Sequence, residues 1–582
     1  MHHNAASSIR VNNAMTIRSF DTNPANTVTL PDGQRVHRDH LAQSEVLKAQ
    51  FDQPREGVWT VIGNGLSNQS FIKAREGIIA IDTGESIEEM RAALAQLRRV
   101  TGEPVAAVIY THFHYVEGTR AILEEGNHAT PLPVYGHPRI AANKARASGE
   151  IGPAYARGLV EQFALTLPEQ GVDANLNVGL GFWYRNPAHA PFMPGFLPVT
   201  HPLTGHGTVT IAGMEVEYDH APSDSDDSIN FFFPTISTCV HNAVWPALFN
   251  IFPIRGEEYR DPRILIPGID QIIAWRPEHI VGAHGPSLSG RERIQGAATR
   301  YRDAIQFLWD QTVRGINRGW TTDELAERIR LPDLYDQDYL TSERYGVAEH
   351  HVRQIHNGLR GWFDGDESKL FPLPPDERHQ RLITGFGGRE NVREQATKAL
   401  DADDVRWAVE LATWLVRSPG CEAADRALLA RGLRTIAERT PAANIRSWAL
   451  TRARHLDGST DLSRYYQHRF NPRALAAVPV AVMVATLRVL IDPQKISGIN
   501  HHVAFHVEQE CAGLHIRNGI AAPTGGQDAD SAVHVNRETF SGLLSGKVLW
   551  SAAQKAGLLR IEGNVEMVDR IRAAFDLDGL RS

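Results

Sequence analysis

Two histidines two residues apart, His112 and His114, close an apolar run from Val105 to Tyr110. In an extended segment alternate side chains point the same way, so this spacing predicts two imidazoles aimed at one cation. A bare His-x-His is more often a pair of surface loop residues, but three further features weigh against that plain reading. One is a strand-like run ending in Asp82-Thr83-Gly84, one helix upstream. Another is the acidic loop Ser223-Asp224-Ser225-Asp226-Asp227, which follows a strand pattern ending near His220. The third is His284, set in an Ala-His-Gly-Pro turn after Ile280-Val281. Imidazoles and carboxylates gathered at the carboxyl ends of strands make a transition-metal donor set. The chain's 26 histidines, several of them clustered, point the same way.

Elements must hold these groups in place. Val58-Trp59-Thr60-Val61-Ile62, Phe71-Ile72-Lys73 and Ile78-Ile79-Ala80-Ile81 are short apolar runs separated by glycine turns, which predicts three strands. Ser86 then stands where a cap would sit for the helical spacing of Met90, Leu94 and Leu97. Further β patterns lie at 132–135, 208–218, 230–233 and 237–240. Strands in both halves with helices between them predict an α/β sandwich up to about residue 310. From there to about residue 455 the pattern is helical. An amphipathic run over 403–411 stops near Ser418-Pro419-Gly420, and two more helices are expected over 423–438 and 442–454. Beyond Gly458-Ser459, alternating runs at 503–507 and 532–535 among helical stretches predict a separate α+β domain.

Composition narrows the class. With 582 residues, 42% hydrophobic and 22% charged, the chain reads as an ordinary globular protein of several domains. Its net charge of −8 argues against nucleic acid or an anionic membrane surface as the main partner. Cys239, Cys421 and Cys511 are far apart and form no Cys-x-x-Cys, so a reducing, cytoplasmic compartment is expected. The polar stretch from Met1 to Phe20 has no apolar core of the length a secretory signal needs. The most apolar stretch, 474–491, contains Pro479, Thr486 and Arg488 and reads as a buried helix rather than a membrane span. His2-His3, His501-His502 and His534 take structural or terminal readings.

These residues together resemble the metallo-β-lactamase fold, and the chain as a whole is similar to the zinc-dependent alkyl sulfatases. The likeness is carried by Ile62-Gly63-Asn64-Gly65-Leu66-Ser67-Asn68, Ile81-Asp82-Thr83-Gly84, the Thr111-His112-Phe113-His114 segment, Tyr345-Gly346 and Gly361-Trp362-Phe363-Asp364-Gly365. It implies a metallo-β-lactamase αββα sandwich over residues 1–310 and an all-α dimerisation domain over 311–457. A sterol-carrier-like α+β domain over 458–582 would follow. A homodimer acting on an anionic, alkyl-chain small molecule is implied with it.

The family's metal motif, Thr-His-x-His-x-Asp-His, is matched at Thr111, His112 and His114 and departs at Val116 and Glu117. Valine has no lone pair to donate, whereas Glu117 offers a hard oxygen. The family's two glutamates fall on Asp224 and Asn242, with His241 beside the second, and its last histidine falls on His284. The resemblance therefore implies His112, His114 and Asp224 around one ion, and Glu117, His284 and His241 around a second. Zinc is expected, in one or two copies; two histidines and a carboxylate also suit Fe(II), so iron stays open. Asn250 and Arg255 match the residues that hold the sulfate, where a planar guanidinium fork can pair two oxygens of a tetrahedral anion. His350 matches a family histidine, with proton transfer and a structural role both open.

The expected function is a metal-dependent hydrolase whose metal-activated water attacks a sulfate-ester-like substrate clamped by Asn250 and Arg255. Two other readings stay open: a mononuclear, Fe(II)-type enzyme of redox or elimination chemistry, and a non-catalytic binding protein. The missing carboxylates at Val116 and Asn242 predict poor turnover of long-chain alkyl sulfates.

Overall fold

A computed structural model describes residue 20, residues 23–475 and residues 478–582. Apart from Phe20, the N-terminal stretch examined for a secretory signal, with His2-His3, lies outside the described residues. The chain forms two compact units, one of residues up to 141 with 158–461, the other of 142–157 with 462–582.

The first unit is built on two facing sheets. One has seven strands in the order Gln50–Arg55, Val58–Ile62, Gln69–Lys73, Ile78–Ile81, Val105–Ile109, Val134–Gly136 and His201–Pro202. Its centre is parallel, with Ile81 opposite Ile109. Ile78–Ile81 and Val105–Ile109 are buried along their whole length, which explains runs of Val, Ile and Ala without alternation. The other sheet has six strands: His206–Ile211, Met214–His220, Ile229–Phe233, Thr238–His241, His279–Gly282 and Leu288–Ser289. The stretch 208–218, expected as one β segment, is two. Ala212 and Gly213 have φ of +47° and +75°, and Ile211 pairs with Met214 across them. Positive φ at both central residues is the geometry that matches a two-residue hairpin to strand twist.

Between the sheets lies a core of Ile72, Ile79, Ile109, Ile229, Phe231, Val240 and Val281. Outside the first sheet packs the helix Ile87–Leu97, which Ser86 caps by accepting the Glu89 N–H at 3.1 Å. Its Met90, Leu94 and Leu97 meet Phe71, Ile78 and Val105. Outside the second sheet, Ile269, Ile272, Ile294 and Ala298 of Pro262–Trp275 and Arg291–Ile316 cover Cys239 and Ile280. The result is the four-layer αββα sandwich of the metallo-β-lactamase fold. A boundary drawn at residue 310 falls inside Arg291–Ile316, which also packs on Leu325, Val352 and Ile355. Four helices follow in succession, Arg389–Asp401, Val405–Val416, Ala423–Arg439 and Ala443–Leu456, each packed on the next. Buried Asp425 ties the first to the third through Arg389 at 2.6 Å and Arg393 at 2.9 Å.

The second unit carries a five-stranded sheet in the order Ile520–Thr524, Glu510–Arg517, His501–Val507, Ser531–Val535 and Leu559–Glu562. Val503, Phe505, Leu514 and Val533 pack one face against Val484, Phe540, Trp550 and Phe575. His501 Nε2 lies 2.9 Å from the Ser531 hydroxyl, and His506 stacks on His534. From the stretch 474–491, the helix Val480–Leu487 enters this core through Val480, Met483, Val484 and Leu487. No described helix is long and apolar enough to cross a membrane.

Candidate metal centre

The centre is assembled where two parallel strands end. Asp82, which follows Ile78–Ile81, adopts φ +50° and accepts the Thr111 backbone N–H at 2.8 Å and its hydroxyl at 2.7 Å. Burial pushes its carboxyl up to about 7, the Thr111 bonds opposing that rise. The Thr111 oxygen lies 2.9 Å from His112 Nδ1. With the hydroxyl proton directed to Asp82, that oxygen accepts from Nδ1–H, which leaves the Nε2 lone pair of His112 facing inward.

His112 itself is extended, with φ −167° and ψ −179°, but Phe113–Tyr115 form a 3₁₀ turn. The expected extended His-x-His is therefore corrected: His114 reaches the same point from a turn, because the chain bends back toward Thr83 and Gly84. The Thr83 N–H donates to the Tyr115 carbonyl at 2.7 Å, and the Glu117 N–H to the Gly84 carbonyl at 3.0 Å. Gly118 is required by the same closure, since a Cβ there would meet the Thr83 carbonyl oxygen at 2.0 Å.

Asp224 comes from the loop between Met214–His220 and Ile229–Phe233. Its Oδ1 lies 3.7 Å from His112 Nε2, and its Oδ2 3.1 Å from His114 Nδ1. Donor atoms of His112, His114 and Asp224 all fall within 4.8 Å of one another, which makes these three a cluster able to hold a metal ion. Asp224 accepts from the Ser223 hydroxyl at 3.1 Å and from the Asn242 amide N–H at 2.7 Å; Trp245 Nε1 in turn donates to the Asn242 side-chain oxygen at 3.1 Å. Asn242, expected at the place of a bridging carboxylate, thus orients Asp224.

Electrostatics follow from this packing. Burial lowers His112 to about 3, Asp224 opposing the fall. For His114 burial also acts downward, but Asp224 and Glu257 outweigh it and push the imidazole up to about 9. Burial would raise the Asp224 carboxyl; His112 and His114 overcome it and hold the group well below the usual carboxylate range. His112 Nε2 and both ring nitrogens of His114 are buried and make no hydrogen bond. Buried polar atoms are normally satisfied, so orphaned nitrogens converging on a carboxylate fit a divalent cation.

Beside this cluster sits a buried charge group that sequence reasoning only half found. Arg255 pairs with Glu257, and Arg260 Nη2 lies 2.6 Å from the same carboxylate. Burial would raise Glu257, yet Arg255, His114 and Arg260 bring it down to about 2. Its other oxygen stands 3.6 Å from His114 Nε2. Arg260 also donates to the Asn250 carbonyl at 2.8 Å. The Asn250 side chain is wholly buried with neither amide atom hydrogen-bonded. Glu257 and Arg260 were missed, though Arg255-Gly256-Glu257-x-x-Arg260 was a visible signal: charges spaced this closely inside an apolar region must pair. His351 was missed as well. It is wholly buried and accepts the Phe252 N–H at 3.2 Å, whereas His350 is only half-buried and meets the Phe252 ring edge-on.

The remaining expected ligands are not drawn into the cluster. The Glu117 carboxylate accepts the Phe196 N–H at 3.3 Å. His241 Nδ1 takes the Val244 N–H at 3.4 Å. His284 places Nδ1 3.0 Å from the Leu66 carbonyl and Nε2 3.2 Å from the Tyr115 hydroxyl. Burial lowers both imidazoles to about 4.

Comparison with known proteins locates the chain. Residues 321–459 match the family model for alkyl sulfatase dimerisation, 469–578 that for the alkyl sulfatase C-terminal region, and 62–115 that for the metallo-β-lactamase superfamily. A linear primary-alkylsulfatase of Pseudomonas sp. is 30% identical over 524 residues, covering 87% of this chain and 98% of that protein. An alkyl/aryl-sulfatase of Saccharomyces cerevisiae is 25% identical over 90% of this chain and 81% of its own length. Among solved structures, a stereoselective inverting sec-alkylsulfatase from Pseudomonas sp. superposes with a TM-score of 0.81 at 22% identity, covering 95% of this chain and 91% of that one.

Proposed function

Because this chain belongs to the alkylsulfatases of the metallo-β-lactamase fold, a metal-dependent hydrolase family, we propose that it cleaves sulfate monoesters of alkyl alcohols at the His112–His114–Asp224 centre. The observation that carries this reading is the convergence of two orphaned ring nitrogens, His112 Nε2 and His114 Nδ1, on Asp224, next to a buried guanidinium pair. Zinc suits two imidazoles and one carboxylate; when held there it supplies Lewis acidity and a water made nucleophilic near neutral pH.

The chain's own residues do the rest. Thr111 sets the tautomer of His112, while Ser223 and Asn242 hold the Asp224 carboxylate in place. Arg255 and Arg260 with Glu257 sum to one positive charge, and Asn250 adds amide donors to that side. One net charge complements a sulfate monoester, which carries one negative charge, better than a phosphate monoester, which carries between −1.5 and −2. Water adds across the ester, releasing the alcohol and hydrogensulfate, which loses its proton. Residues 321–459 support a homodimer, for which light scattering should give a mass near twice 64.5 kDa.

The test is sulfate release, read by ion chromatography, from a panel of primary and secondary alkyl sulfates with zinc-loaded protein. Release should depend on the metal and be lost in Arg255→Ala. No release from any member of the panel overturns the proposal.

A further inference from the structure

We infer that Tyr115 makes this a one-metal centre: its ring packs against both His112 of the first cluster and His284, and its hydroxyl occupies the lone pair through which His284 would bind a second cation. The inference rests on the reading that the first cluster binds a metal.

His284 Nδ1 faces the Leu66 carbonyl, which can only accept, so the ring proton sits on Nδ1. Nε2 is then the acceptor, and Tyr115 donates its hydroxyl to it. The Tyr115 ring lies edge-on to His112 and to His284, with centroids 5.0 and 5.3 Å away and interplanar angles of 86° and 88°. The two imidazoles share this one aromatic neighbour, and its ring is held rigidly. The Tyr115 carbonyl is bonded to Thr83, the side chain is only 3% exposed, and its ring belongs to the core containing Leu66 and Trp245. Trp245 in turn backs His284 from a centroid distance of 5.6 Å.

Most other donors near His284 are engaged elsewhere; the one left over is His241 Nε2, buried and without a hydrogen bond, which carries the ring proton because Nδ1 accepts from Val244. His241 turns Nδ1 to Val244, Glu117 accepts from Phe196, and Asn242 is committed to Ser223, Asp224 and Trp245. Val116 offers no donor at all. A second ion would have to expel a buried hydroxyl from its only acceptor and move a packed ring.

The experiment is equilibrium dialysis of the full-length protein against Zn²⁺ or Co²⁺, with metal counted by mass spectrometry and the Co²⁺ absorption spectrum recorded. The wild type should hold one equivalent. Tyr115→Ala should gain a second, weaker equivalent that disappears when His284→Ala is added, with the first site's Co²⁺ spectrum retained. Should Tyr115→Ala fail to fold, Tyr115→Val keeps an apolar filling and carries the same expectation. Two tight equivalents in the wild type overturn the inference, as does a folded Tyr115→Ala or Tyr115→Val that still holds one. No bound metal in the wild type overturns the metal reading itself, a different failure.

Discussion

Two donor groups meet at Tyr115, and their difference is instructive. His112 Nε2 and His114 Nδ1 are buried without hydrogen bonds and face the Asp224 carboxylate, while His114 Nε2 faces Glu257. His241 and His284, equally buried, turn their nitrogens to the Val244 N–H, the Leu66 carbonyl and the Tyr115 hydroxyl. Both groups have ligand chemistry. What separates them is His284, both of whose nitrogens are spent on hydrogen bonds, whereas His241 Nε2 is orphaned like those of the first group; a lone pair already spent must be released before it can bind a cation.

The sharpest way to break this comparison is to remove one imidazole from each side. His112→Ala should weaken zinc binding more than about 100-fold, because only two protein donors remain to set the geometry. His284→Ala should leave zinc binding unchanged and instead lower folding stability by about 1–3 kcal/mol, since the buried Tyr115 hydroxyl loses its partner. Competition with a chromophoric chelator and urea denaturation read the two effects. Equal loss of metal in both variants would erase the distinction.

A smaller effect is expected one step back from the first group. Thr111→Val removes the link from Asp82 to His112 and should reduce zinc affinity about 10–100-fold without abolishing it. Smaller again is the change at Glu257. Glu257→Gln raises the net charge beside Asn250 from one to two and should tighten inorganic sulfate several-fold by calorimetry. Unchanged or weaker sulfate binding would show that Arg255 and Arg260 do not face the anion.

A last effect, on stability rather than on binding, concerns the packing of Glu89. Glu89 is buried against Gly65 and Gly84, where any Cβ would come within 2.4 Å of its carboxylate, and burial followed by Glu85 raises it to about 8. Between its ordinary value near 4.5 and about 8 the folded protein binds the extra proton, so stability falls as pH rises through that window. The slope is at most about 1.4 kcal/mol per pH unit. Glu89→Gln should flatten it, measured as thermal midpoint from pH 5 to 8; an unchanged slope would place the titration elsewhere.

Much of this arrangement was legible before any coordinates. Buried strands announce themselves as unbroken apolar runs, and Asp82-Thr83-Gly84 and Thr111-His112-Phe113-His114 mark the ends of two of them. The hairpin at Ala212-Gly213 was not legible, because alternation continues across a two-residue turn and only the signs of two φ angles reveal it. Tyr115 escaped notice for a related reason. An aromatic in a loop reads as core packing, and in part it is; its second role exists only because His284, remote in sequence, ends 3.2 Å from its hydroxyl.

The sequence by itself determined the family, the sandwich and the chemical types available: two imidazoles, a carboxylate loop, an arginine beside a buried asparagine. Those follow from local periodicity and residue identity, which neighbours along the chain suffice to express. Only the tertiary structure decided which of those groups act together. It turned Asn242, standing where the family has a bridging carboxylate, into the support of Asp224, set Glu257 between Arg255 and Arg260, and packed a tyrosine against both His112 and His284. Whether a donor is free depends on which distant residue faces its lone pair, and that is a property of packing alone.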